Sequence, residues 1–406
     1  MIRRIAALAV ASLLAVLTAA PSGARADRLE RLVPLVGPEV PLEVAKLYEQ
    51  KPVIELVTMG IGSLIWERHG HIALCVRYDD RRDDVCYNYG IGDFRHPLAM
   101  GWGFLRGAGS FWVGKAAIAD MLWIYHHNDR SIWAQPLPLT PEQKREVIAK
   151  LEHDILEPNK FYAYDHFWDN CTTRVRDIID TATGGKLRLM PEIDDRRTFR
   201  DLAREGFFGV ETGSMPSWVP LIITDIGMGR VTDRVPTYWE RMFLPQYLRE
   251  AVHKLWNLDP IVRYARKGPP PQTHGPSGRG WCALLILLLT APAWLTRVLG
   301  RFQRTGLVIA VLPYLLLGTV LTALAFVSPL PYVRWNEICL VWFPLDVLLL
   351  VLSGERQRRY ARARLIMLGA ILVLSLVGVL TQPLLMPLLW PLIPIAAVAF
   401  LPLRRA

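Results

Sequence analysis

The feature that most constrains this chain is a run of five apolar blocks after residue 281, at about 282–299, 306–328, 337–353, 365–382 and 384–402. Each approaches or exceeds the ~20 residues that a helix needs to span a hydrocarbon core. A single block of this kind reads equally well as a buried helix of a soluble protein. Five in succession, with almost no charge inside them, predict an all-α membrane domain over 282–406 with five transmembrane helices. The overall composition, 52% hydrophobic with a mean hydropathy of +0.22, excludes a disordered chain. The apolar excess is uneven, since residues 1–280 read as a soluble protein. The net charge of +10 would ordinarily point to nucleic acid. Here many arginines lie between apolar blocks, where membrane topology accounts for them, so no nucleic-acid partner is expected.

The N-terminus reads as a secretory signal. Met1-Ile2-Arg3-Arg4 carries positive charge, Ile5 to Leu17 has the length of an apolar signal core, and Ala24-Arg25-Ala26 fits a small-x-small cleavage site before Asp27. An uncleaved anchor helix is the alternative. Export places the following residues outside the cytoplasm, in a compartment that permits disulfides. The loop charges agree with this. If residues 27–281 are outside, the first block runs inward. The inside segments then hold Arg297, Arg301 and Arg304, then Arg356, Arg358, Arg359, Arg362 and Arg364, then Arg404 and Arg405. The outside loops hold only Arg334. An odd number of spans satisfies the positive-inside bias at every loop. Asp346 falls inside the third block, where a carboxylate is either functional or a capped, interface-facing side chain.

Between signal and membrane domain the pattern is α+β. Val53 to Met59, Ile72 to Tyr78 and Val85 to Tyr89 are short β-branched or alternating runs, and Phe111 to Ala117 and Ile132 to Leu139 are further strands. The run Asp79 to Asp84 is a polar turn, so the second and third runs form an antiparallel hairpin. Met121 to Asn128 is ambiguous between helix and strand. Thr140-Pro141-Glu142-Gln143 starts a helix that runs to about Ile155. A second helix runs from Cys171 to about Thr181 and ends at Gly184-Gly185. The expected organisation is a signal peptide (1–26), an exported domain (27–250), a linker (251–281) whose centre is the proline-rich stretch Lys267 to Gly278, and the membrane domain (282–406).

Five scattered cysteines make neither a disulfide framework nor a zinc site, and no metal or cofactor is expected. In Asp169-Asn170-Cys171-Thr172-Thr173-Arg174, Asp or Asn is a preferred helix cap, which puts Cys171 in the first turn. There the unpaired N–H groups and helix dipole favour a thiolate, and the same N–H groups could receive an oxyanion. The plainer alternative is a small buried hydrophobe. A thiol nucleophile needs a base, usually histidine. His71, at the start of a strand in His69-Gly70-His71, is the first candidate, and His69 the second. A two-residue turn at Asp80-Arg81 would pair residues summing to 161. Asn88 would then oppose Ala73 on the His71 face and could orient the imidazole, with Asp93 as the runner-up.

Three segments resemble the Lnb family of lipoprotein N-acyltransferases over roughly residues 50–245. They are Thr58-Met59-Gly60-Ile61-Gly62 with Arg68-His69-Gly70-His71-Ile72-Ala73-Leu74, Tyr87-Asn88-Tyr89-Gly90-Ile91-Gly92-Asp93-Phe94, and Tyr162-Ala163-Tyr164-Asp165 with Asp169-Asn170-Cys171-Thr172-Thr173-Arg174. In the membrane part, Trp335-Asn336 and Phe343-Pro344-Leu345-Asp346 are similar to a family pattern. The resemblance implies a permuted papain-like fold related to NlpC/P60-type domains, with Cys171 as nucleophile and His71 as base. A histidine at position 69 departs from the family, where an aromatic residue is usual. Cys75 and Cys86 are also atypical; in the register above they face each other and either bond or simply pack. The implied activity is acyl transfer at the outer face of the bacterial inner membrane, with the catalytic domain in the periplasm. The donor is a phospholipid, and the acceptor is the α-amino group of a diacylglyceryl lipoprotein. An envelope thiol peptidase or amidase and a non-catalytic scaffold are the competing readings.

Overall fold

The computed structural model describes residues 41–93, 95–209 and 216–401, so the expected signal peptide lies outside the described residues. The chain divides into two compact units, one of residues up to Asp195 with Pro236–Pro271, the other of Arg196–Val235 with the residues from Gln272 onward.

The first unit is built on a seven-stranded antiparallel sheet in the order β6-β4-β3-β2-β1-β5-β7. The strands are β1 (Val53–Met59), β2 (His71–Arg77), β3 (Val85–Ile91), β4 (Ser110–Ala117), β5 (Ile132–Pro136), β6 (Phe161–Ala163) and β7 (Ile261–Tyr264). Its longer helices are α1 (Leu42–Glu49), α2 (Pro97–Leu105), α3 (Ile118–His127), α4 (Pro141–Asp154), α5 (Cys171–Ala182) and α6 (Pro245–Trp256). Strand β1 is buried throughout and β2 nearly so, as strands covered on both faces must be. On one face Val57, Met59, Ala73, Cys75 and Cys86 pack against Ile118 and Met121 of α3. Helix α5 lies against β2 and β3, and α6 against β1. The segment ambiguous in sequence, 121–128, is thus helical to His127: Ile118, Met121, Leu122 and Tyr125 of α3 fall on one face at helical spacing.

Local signals hold in detail. Thr140 and Gln143 form a reciprocal capping box at the start of α4. After α5 the chain turns through Gly184 and Gly185, both at positive φ. The β2–β3 register pairs Leu74 with Tyr87 and Cys75 with Cys86, the register expected. The turn differs. Asp80 caps a short 3-10 helix at Arg81–Asp83 through the Arg82 N–H, so the connection is longer than two residues. Cys75 and Cys86 are joined by a disulfide with Cα atoms 4.0 Å apart.

The units cut across the segments expected from composition. The expected linker, 251–281, contains the end of α6 and the whole of β7. Strand β7 is held to the sheet by charge as well as by its ladder with β5. Arg263 reaches the fully buried Glu55 of β1 at 3.2 Å, and Arg77 of β2 meets the same carboxylate at 2.8 Å. Residues 196–235, expected in the exported domain, are anchored within the second unit. There Asp225, 1% exposed, takes Arg204 at 2.5 Å and Arg279 at 2.9 Å, and Arg200 forms a two-pronged pair with Asp233.

The second unit is helical. Two of its helices, Arg279–Leu299 and Gln303–Val327, are long and apolar enough to cross a membrane. Leu385–Phe400 is a shorter apolar helix. Gly354–Leu376 is long, but its first half carries the arginines that the sequence assigns to an inside loop. The third expected span is not one helix. Residues 331–351 form short pieces, Pro331–Arg334, Ile338–Val341, Pro344–Val347 and Leu348–Val351. Proline starts two of them, and Asn336 turns its side chain to the backbone of Ile338 and Ile226. Asp346 is fully buried here. Its carboxylate accepts from Arg364 Nε at 2.7 Å, Arg364 Nη2 at 3.0 Å, Tyr360 at 2.8 Å and Tyr314 at 3.3 Å.

Candidate active site

The strand directions collect the candidate residues at one end of the sheet. Strand β1 runs toward that end and β2 starts from it with His71. Strand β3 runs toward it through Asn88 to Ile91. Strand β6, antiparallel to β4, ends there before the loop that leads to Cys171.

Cys171 is the first residue of α5, and the preceding Asn170 fixes its position. Asn170 Oδ1 accepts from the N–H groups of Thr172 (2.8 Å) and Thr173 (2.9 Å). Its Nδ2 donates to the carbonyls of His166 (2.7 Å) and Phe243 (2.9 Å). Thr173 Oγ1 accepts from the Asn170 N–H in return. One side chain therefore ties the helix start, the loop before it and residue 243 together. It also narrows a sequence expectation, because two N–H groups of the first turn are already engaged.

The Cys171 sulfur lies 3.8 Å from the Thr172 hydroxyl, and the backbone N–H groups of Thr172, Ile72 and Cys171 favour its ionised form. The thiol is nonetheless pushed above its ordinary value, because burial outweighs these hydrogen bonds. The helix N-terminus, expected to favour a thiolate, is here opposed by desolvation of the half-buried sulfur.

Ile72 follows His71 in β2, so the sulfur sits beside the strand residue that carries the imidazole. His71 Nε2 lies 3.2 Å from Asn88 Oδ1. An amide oxygen only accepts, so Nε2 carries the proton and Nδ1 presents its lone pair. The ring stacks on Tyr125 at 6.2 Å with 13° between planes, and the Arg130 guanidinium lies over the Tyr125 ring at 4.6 Å. Burial, and then the charge of Arg130, lower the His71 pKa to about 4, against the Asn88 hydrogen bond. Thiol and imidazole are therefore both uncharged near neutral pH.

The remaining candidates sort by geometry. Continuing the β2–β3 register one step past Leu74–Tyr87 puts Asn88 opposite Ala73, on the His71 face. The runner-up Asp93 is instead paired with Arg95 at 2.6 Å. His69 does not extend β2, because Gly70 intervenes at φ +76, where a Cβ would come within 2.8 Å of the Met59 carbonyl. The half-buried His69 ring lies edge-on to His166 at 4.7 Å.

Several neighbours were not found from sequence. Gly90, at φ +82, lets the Cys171 loop approach: a Cβ there would sit 3.4 Å from both Cys171 Cβ and Tyr164. A glycine inside the run Tyr87 to Ile91 was the available signal for such an approach. Tyr125 and Arg130 had no comparable signal. A cavity of about 510 Å³ opens beside α5, lined by Lys150, Asp154, Trp168, Asp169, Arg174 and Asp177 but not by Cys171.

No curated protein and no solved structure matches the chain. Residues 45–204 match the family model of the Lnb N-terminal periplasmic domain, a span that holds six of the seven strands and all of Cys171, His71 and Asn88. Over those residues the chain is similar to the Lnb N-terminal periplasmic domain.

Proposed function

We propose that the protein is a membrane-bound lipoprotein N-acyltransferase that works through a Cys171 thioester, with His71 as base and Asn88 as the group that orients it. The observation that supports this reading is that Cys171, at the start of α5, and His71, whose Nε2 faces Asn88 Oδ1 at 3.2 Å, fall at the same end of the sheet within the matched domain.

The Cys171 thiol attacks the ester carbonyl of a phospholipid as His71 Nδ1 takes its proton. The N–H groups of Cys171 and Ile72, which face the sulfur at rest, serve the oxyanion that forms on the carbonyl oxygen. The C–O bond then breaks, the imidazolium protonates the departing lysophospholipid oxygen, and the acyl group remains on sulfur. The α-amino group of a diacylglyceryl lipoprotein attacks this thioester, His71 takes an amine proton, and collapse to the amide returns the proton to sulfur. This is two-step covalent catalysis with both substrates held in one membrane plane.

The test is mass spectrometry of a diacylglyceryl lipopeptide incubated with phospholipid vesicles containing the full chain. A third acyl chain on the amine with equimolar lysophospholipid is expected. Unmodified lipopeptide, or cleavage of a cell-wall peptide in its place, overturns the reading.

A further inference from the structure

The two ends of the sheet differ sharply in character. At the β2–β3 turn lie six consecutive charged residues, Asp79 to Asp84, of which 79–83 are exposed. At the other end, where Cys171 and His71 lie, two projecting segments carry exposed apolar side chains. The β1–β2 connection carries Leu64, Ile65 and Trp66 in succession at 45%, 48% and 47% exposure. The β3–β4 connection carries α2, whose sequence Pro-Leu-Ala-Met-Gly-Trp-Gly-Phe-Leu has no charge and whose Trp102 is 51% exposed. Both connections leave the same end because β1 and β3 run in one direction and β2 and β4 in the other.

Helix α2 is also continuous with the candidate site. Phe104 faces Tyr164 at 6.3 Å, and Tyr164 packs on Phe111 at 4.6 Å. Tyr164 and Cys171 share the space over Gly90. An apolar path therefore leads from the exposed helix to the sulfur. At the helix ends stand Arg95, His96 and Arg106, and the Arg106 guanidinium lies 5.9 Å from the Trp102 ring. An exposed Trp beside a cation, on an otherwise uncharged helix, suits the boundary between acyl chains and anionic headgroups.

We propose that Leu64–Ile65–Trp66 and α2 form a paired wedge that enters the headgroup–acyl boundary of a glycerophospholipid bilayer. There it presents the ester of a lipid still in the leaflet to the Cys171 end of the sheet. Insertion depth is of order 5–10 Å for elements of this kind. The binding claim stands on the surface itself; only its catalytic consequence rests on the reading proposed above.

The test uses the full chain in vesicles of phosphatidylethanolamine and phosphatidylglycerol, with Cys171, Cys282 and Cys339 replaced by alanine. A nitroxide is attached through Ile65→Cys, Trp102→Cys or, as the reference at the charged end, Arg82→Cys. Collisions with oxygen should exceed those with a water-soluble nickel chelate at 65 and 102, and the order should reverse at 82. Chelate-dominated collisions at all three positions overturn the proposal. In the otherwise unmodified chain, Ile65→Asp and Trp102→Asp should slow transfer from vesicle phospholipid at least tenfold while leaving transfer from a soluble short-chain ester unchanged. Equal losses on both donors would make these residues structural and sink the proposal. Absence of transfer in the unmodified chain overturns the acyltransferase reading alone, since the nitroxide measurement needs no turnover.

Discussion

Two buried polar constellations, one in each unit, differ in a way that separates structure from chemistry. Around Asp346 every acceptor direction of the carboxylate is filled, by both prongs of Arg364 and two tyrosine hydroxyls, and Arg364 also donates to the Val341 carbonyl. Such an ion pair is a fastening: its carboxylate has no acceptor direction left for a substrate. Around Cys171 and His71 the bonding is incomplete by design. Asn88 engages one imidazole nitrogen and leaves the other. A carboxylate deep in an apolar block was an open functional candidate from sequence. Its partners now assign it to holding a broken segment in place.

The comparison is most directly broken at Cys171. Cys171→Ser should lower acyl transfer by ~10⁴-fold or more, as loss of a nucleophile does, with the melting temperature moved by no more than about 1 °C. Near-normal transfer by the serine variant in a lipopeptide assay would remove the thioester from the scheme. Next comes His71→Ala, with a loss of ~10²–10⁴-fold in transfer. His69→Ala should be milder, because that ring is turned to His166. If the two effects are reversed, the base is His69.

Asp346→Ala should show the opposite profile. Breaking a buried pair costs about 3–5 kcal/mol, so denaturant unfolding in detergent should detect a large loss of stability. Transfer per folded molecule should be retained. A variant that stays stable but loses turnover would move Asp346 from fastening to chemistry.

The smallest effect concerns pH. With the His71 pKa held at about 4 by burial and by Arg130, the neutral base persists well into acid. Transfer should fall only as pH drops through about 4, where the imidazole protonates and can no longer accept from sulfur. Arg130→Met removes a positive charge that disfavours the imidazolium, so the pKa should rise. The acid limb of the rate profile should move up by about one pH unit. A limb that stays in place would mean that Arg130 acts only through its bonds to Gly60 and Glu67.

What could be read from the sequence was local. The register that brought Asn88 to His71, the cap that placed Cys171 and the Thr140 capping box each depend on a few neighbouring residues, and alternation or spacing records them directly. The third apolar block shows the limit of that approach. Hydropathy measures how apolar a segment is, not whether its backbone is continuous, and Pro331, Asn336 and Pro344 divide residues 331–351 into pieces. The charge state of Cys171 was hidden for a related reason. A helix cap is visible in sequence, but the burial that outweighs it comes from Gly90, Tyr162 and Tyr164, brought in from other elements.

That burial has a consequence for survival between turnovers. The domain carries a closed disulfide on the strand pair that holds His71 and Asn88, as suits an oxidising compartment. In such surroundings a standing thiolate is the form most readily taken to sulfenic acid and beyond. A thiol kept protonated by its surroundings, and released only when His71 accepts the proton, resists that loss. On the proposed mechanism, a raised thiol pKa would leave the resting molecule less open to such oxidation than a preformed thiolate.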